Sequence, residues 1–128
     1  MSSKLTPKEA FGNYVRAQRE ALGKTVRGLA AELEGMGPTY LNDIENGNRS
    51  APEKHLTALA KALQIKDEEA LDRFYDLAGK SRKDSFSDLN PYIGKKPIAR
   101  FALRRARDLN IPDSKWQEFI DGLSNDEK

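Results

Sequence analysis

His55 is the single histidine of this 128-residue chain, and there is no cysteine. A nucleophile–base pair would have to be built around His55, and a two-histidine or thiolate metal site is excluded. His55 follows an exposed helix start and reads as a surface or cap residue. The carboxylates of Asp67, Glu68, Glu69, Asp72 and Asp76 lack the loop spacing of a calcium site and read as a solvated face. No Gly-rich phosphate loop is visible. No catalytic residue, metal or cofactor is therefore expected, and the chain does not read as an enzyme. The chemistry that remains is hydrogen bonding to a large polar partner. The run Pro38-Thr39-Tyr40-Leu41-Asn42-Asp43-Ile44-Glu45-Asn46-Gly47, then Asn48 and Arg49, concentrates short hydroxyl and amide side chains. Such groups suit base edges and phosphates.

Those residues need a helix to carry them. Pro38 is a favoured first helical position, and Leu41 and Ile44 share an inward face. Asn46-Gly47-Asn48 ends the helix near Glu45 by turn chemistry. A second helix precedes it, from Val26 to Leu33, with Thr25 as N-cap and Val26, Leu29, Ala30 and Leu33 as its stripe. Glu34-Gly35-Met36-Gly37 joins the two, which makes a helix-turn-helix pattern. A first helix spans about Lys8 to Leu22, with Thr6 and Glu9 spaced as a capping box and Phe11, Tyr14 and Val15 inward. A fourth opens at Ala51-Pro52-Glu53 and buries Leu56, Leu59, Ala60 and Leu63. A fifth opens at Lys66 to Glu69, turns Leu71, Phe74, Tyr75 and Ala78 inward, and stops at Gly79.

The string Tyr40-Leu41-Asn42-Asp43-Ile44-Glu45-Asn46-Gly47, then Arg49 and Pro52, resembles the signature of the Xre family, the bacterial and phage repressors similar to lambda repressor and Cro. The resemblance covers about residues 8–65. It implies an all-α fold, a five-helix lambda-repressor-like DNA-binding domain, here with a C-terminal helical extension. It implies phosphate contacts at the positions of Thr25, Val26, Arg27, Asn46, Asn48 and Arg49. It also implies that Arg19 pairs with Glu45 as an architectural ion pair. The chain departs from the family at three points. The turn between Leu33 and Pro38 is one residue longer than the usual pattern. Val26 stands where the family often has Gln. Gly28 weakens the second helix by roughly 1 kcal/mol relative to Ala.

Residue chemistry agrees with that resemblance. Pro38, Thr39, Tyr40, Asn42 and Asp43 hold the leading or outward positions of the third helix, which is where a helix entering the major groove meets base edges. Thr39 suits several bases or a thymine methyl, Asn42 suits adenine, and Tyr40 suits a sugar or phosphate. Asp43 repels phosphate but can accept from a cytosine amino group, and a partner within the protein is the favoured alternative for it. The expected DNA-contact set is therefore Thr25, Arg27, Pro38, Thr39, Tyr40, Asn42, Asp43, Asn46, Asn48 and Arg49.

Beyond residue 79 the character changes. Residues 80–110 carry nine basic and three acidic groups, whereas residues 111–128 carry two and five. Residues 80–96 read as a linker. Pro97 opens a sixth helix to about Leu109, and Ser114 with Gln117 suggests a capping box for a seventh. Residues 1–79 are thus read as the DNA-binding domain, and 80–128 as a linker and two-helix extension. Phe101, Trp116, Phe119, Ile120 and Leu123 exceed what a lone terminal helix can bury, so a dimerisation role is expected. Arg100, Arg104 and Arg107 share another face and suit either solvent, protein carboxylates or phosphate. Double-stranded DNA is the expected partner, bound by a homodimer on an inverted repeat, in a bacterial or phage repressor. The alternative is an antitoxin or other protein-interaction module, its extension holding a protein partner and its DNA binding secondary and autoregulatory. No run of about 18 apolar residues exists, so no membrane span is expected. The first residues lack an apolar signal segment, and a cytoplasmic location is expected.

Overall fold

A computed structural model describes residues 4–126. Eight α-helices and no strand are present among them. The first, α1 (Pro7–Ala21), starts where the sequence dictates. The Thr6 hydroxyl accepts from the Glu9 N–H at 3.1 Å, and the Glu9 carboxylate accepts from the Thr6 N–H at 2.9 Å. That reciprocal pair satisfies two N–H groups the helix itself cannot. Next come α2 (Val26–Ala31) and α3 (Pro38–Glu45). A single 3-10 turn, Glu53–His55, leads into α4 (Leu56–Ala62). Then α5 (Glu68–Ser81) is capped by the Asp67 carboxylate on the Ala70 N–H at 3.0 Å. The acidic Glu68 and Glu69 sit in its first turn, where the helix dipole favours them.

These five helices close on one core. Phe11, Leu29, Leu41, Ile44, Leu59 and Phe74 are fully buried in it. Phe11 and Phe74 join α1 to α5 with ring centroids 5.6 Å apart. The α1–α3 crossing depends on a residue with no side chain. A Cβ at Gly12 would overlap the backbone carbonyls of Ile44 and Glu45, so α1 and α3 approach backbone to backbone there.

Several expected boundaries shift, each for a local reason. The second helix ends at Ala31, and Leu33 is buried from a turn rather than a helix. Between α2 and α3, Gly35 takes a left-handed φ of 80° and lets Met36 turn into the core. The turn therefore brings an apolar side chain inward. The fourth helix begins at Leu56, not at Ala51, because Ala51 and Pro52 are buried as extended chain. The fifth helix runs through Gly79 to Ser81. Gly79 does not stop it; Gly79 leaves room for the Phe86 ring, which a Cβ would overlap. Lys83 and Asp84, at φ 57° and 64°, turn the chain after the helix.

The chain divides into two compact units, and the first ends at Asp88, nine residues beyond Gly79. In the second, the segment read as linker contains α6 (Asn90–Lys95), followed by α7 (Pro97–Asp108) and α8 (Asp113–Asp126). The Arg100 guanidinium donates to the Ile93 and Gly94 carbonyls at 2.7 and 2.9 Å, tying α7 to the end of α6. The expected Ser114 capping box does not form. Ser114 lies inside α8, the Lys115 N–H bonds the Pro112 carbonyl, and the Gln117 amide bonds Asp121 at 3.0 Å. No helix among the described residues is long and apolar enough to cross a membrane.

Candidate nucleic-acid interface

The outward face of α3 is made by what its inward face does. Leu41 and Ile44 enter the core, and Glu45 follows them with only 2% of its surface exposed. A carboxylate at that depth needs full pairing. Arg19 supplies it, donating Nε to Oε2 at 2.7 Å and Nη2 to Oε1 at 2.9 Å. The third Arg19 contact runs from Nη1 to the Lys24 carbonyl at 2.8 Å. The Glu45 hydrogen bond, opposed by burial, holds the guanidinium pKa above its usual value. Arg16 adds a second cation, 3.3 Å from Glu45 Oε1, and donates to the Asn46 amide oxygen at 2.6 Å. So α1 grips both the end of α3 and the turn that follows it.

With α3 held this way, Thr39 and Asn42 are exposed away from the core, and Pro38 is exposed at the helix start. Gly37, the N-cap, offers no side-chain acceptor to the first turn of α3. Tyr40 is half-buried, and the Arg49 guanidinium stacks 4.5 Å from its ring centroid. Asp43 lies 3.6 Å from Arg49 Nε in an exposed pair. A pair that exposed contributes little stability, but it fixes where Arg49 points. The Asn48 N–H bonds the Asp43 carbonyl at 2.9 Å, and Gly47 takes a φ of 77°. Gly47 rests against Glu9 of α1, with no room for a Cβ. The loop after α3 is therefore a braced turn with Asn48 and Arg49 exposed.

At the start of α2, the Thr25 hydroxyl accepts from the Gly28 N–H at 2.9 Å. The same hydroxyl keeps its O–H free to donate to a further partner. Arg27 is exposed and has no ion-pair partner among the described residues. Val26 packs partly against the core. Asn46 accepts from Arg16 on its amide oxygen, and its NH2 is free to donate to a partner.

Thr39, Tyr40, Asn42, Asp43 and Arg49 thus come together on α3 and its following loop. Thr25 caps α2 and Arg27 lies in its first turn, and α2 packs on α3. Phe101, Trp116, Phe119, Ile120 and Leu123 belong to the separate second unit and are exposed there. Two residues that position the site escaped the sequence reading. Arg16 lies one helical turn before Arg19, which was the available signal. Gly12 gave none, because its role depends on a long-range backbone approach.

A family model described as a helix-turn-helix domain matches residues 10–77, more than half the chain. The chain belongs to the helix-turn-helix domain family. No curated protein and no solved structure matches it. In a helix-turn-helix domain the second helix of the motif enters the major groove and the first crosses the backbone. The two helices of that motif are α2 and α3 here.

Proposed function

We propose that this helix-turn-helix protein is a sequence-specific transcriptional regulator of the Xre kind, a repressor that binds an inverted-repeat operator as a homodimer. The observation that carries the reading is the division of α3. Its buried half is locked by Glu45 to Arg19 and Arg16, and its free half presents Thr39 and Asn42. Groups aimed at base edges need that rigidity, because discrimination between bases depends on fixed hydrogen-bond geometry. Arg49, Asn48, Arg27 and Thr25 supply phosphate donors on either side.

The dimer is supported by the second unit. Ile98, Phe101, Leu109, Trp116, Phe119 and Ile120 are all more than a third exposed on α7, α8 and the turn between them. Together they offer on the order of 700 Å² of apolar surface per copy, close to the area a standard interface uses on each side. Two copies would place their α3 helices one helical turn of DNA apart, roughly 34 Å. The action is binding rather than catalysis, in the cytoplasm, by occlusion of a promoter. The same exposed surface supports a second reading, an antitoxin-like module whose main partner is another protein.

Selection from random duplexes tests the first reading. A palindromic winner is expected, bound well above random DNA, with Thr39→Ala and Asn42→Ala each reducing that preference without unfolding the protein. Preference unchanged in both variants would remove α3 as the reading element. A stoichiometric heterologous partner, with no enriched duplex, would favour the second reading.

A further inference from the structure

Two open clefts flank the loop after α3, and neither was expected from the sequence. One, of about 670 Å³, is lined by Thr6, Lys8, Gly47, Lys80, Lys83 and the acidic Asp84. The other, of about 410 Å³, is lined by Tyr40, Arg49, Glu53, Lys54, His55 and Arg82, with Lys8 again in its wall. The start of α1, the loop after α3 and the end of α5 therefore converge around Lys8. They are stitched in place. The Ser81 hydroxyl accepts from the Ala51 N–H at 2.9 Å, and Arg82 donates to the Ala51 carbonyl at 3.0 Å and to Glu53 at 2.9 Å. Arg82 Nε, also in this region, is buried with no partner.

The charges at this junction are unevenly matched. Lys80 pairs with Asp84, Arg82 with Glu53, and Arg49 with Asp43. Lys8, Lys54 and Lys83 have no carboxylate partner among the described residues. The other end of α5 is acidic, at Asp67, Glu68, Glu69 and Asp72. Other cations of the unit unpaired among the described residues, Arg27, Lys61, Lys66 and Arg73, lie outside both clefts, whereas Lys8, Lys54 and Lys83 line them together with Arg49. Open grooves lined by separated cations fit an extended polyanion better than an enclosed small molecule.

We propose that the phosphate-binding face runs beyond the helix-turn-helix, from Arg49 across Lys8 to Lys54 and Lys83, and takes the sugar–phosphate backbone flanking the bases that α3 reads. The proposal rests on the DNA-binding reading above. Each lysine that neutralises a phosphate releases condensed counterions, so it adds about 0.9 to the slope of log affinity against log salt. It adds nothing to sequence preference.

The test compares full-length wild type with Lys8→Gln/Lys83→Gln on the selected duplex and on a random duplex across a salt series. The slope is expected to fall by about 1.8 on both duplexes, with their affinity ratio unchanged. Lys61→Gln/Lys66→Gln removes two exposed charges of the same unit outside both clefts and is expected to leave the slope as it was. A cleft variant with the wild-type slope, or one no different from this charge-matched control, overturns the proposal while leaving the reading of α3 intact. Wild type that binds neither duplex overturns both.

Discussion

The two units of this chain use apolar residues in opposite ways. In the first, large side chains drawn from all five helices, Phe11 and Phe74 among them, are fully buried. In the second, no side chain described is buried, although α7 and α8 each carry an apolar stripe. Similar amphipathic periodicity therefore leads to two outcomes. A stripe becomes core only when enough partners surround it, and three short helices in about 40 residues are too few. The first unit is a scaffold that holds a surface still; the second is a set of faces awaiting a cover.

That contrast can be tested by its energetics. The largest effect should come from Glu45→Ala, which leaves Arg19 charged and unpaired in the interior. A loss of about 3–5 kcal/mol is expected in urea unfolding, a large share of the stability of a domain this size. A loss below 1 kcal/mol would mean that the buried pair does not hold α3. Gly12→Ala should follow at about 1–3 kcal/mol, because the new methyl group meets rigid backbone rather than a movable side chain. An unchanged melting temperature would show that α1 and α3 can separate freely.

A smaller effect is set by pH. Burial raises the pKa of the Tyr14 hydroxyl, which donates to the Ala70 carbonyl at 3.3 Å; the Arg73 cation opposes the rise, and Asp67 adds to it. A raised folded pKa means that Tyr14 stabilises the fold fully below its unfolded value of about 10. That contribution is lost as pH rises through the folded value. Wild type should therefore lose more stability than Tyr14→Phe as pH rises above about 10. Parallel pH profiles would remove Tyr14 as a contributor.

The smallest effect on folding is expected from Trp116→Ala/Phe119→Ala. Unfolding of the first unit should change by less than about 0.5 kcal/mol, since neither residue belongs to its core. Sedimentation of the same variant should show the loss of any self-association that wild type displays. A variant that unfolds the first unit would erase the distinction between the two units.

Much of the first unit was legible because its signals are local. The Thr6–Glu9 capping box, Pro38 at the start of α3 and the Asn46-Gly47 turn each act within four residues, and all three features are present. The inward stripes of α2 to α5 were legible for the same reason. Gly79 misled because glycine both ends helices and admits neighbours. Only the position of Phe86 separates those roles, and that is a tertiary fact. Ser114 misled in a related way: capping-box spacing was present, but Asp113 already lies within α8. The clefts around Lys8 were out of reach, since they join residues more than seventy positions apart.

One feature of α3 bears on how such a protein changes over generations. Within eight residues it separates the side chains that keep it in place from those it offers outward. Leu41, Ile44 and Glu45 are sealed inside, whereas Thr39 and Asn42 touch little of the fold. Exchanges at Thr39 and Asn42 cost the fold little, so they draw on almost none of its narrow stability margin. If α3 reads DNA, this lineage can drift from one target sequence to another by single substitutions while every intermediate stays folded.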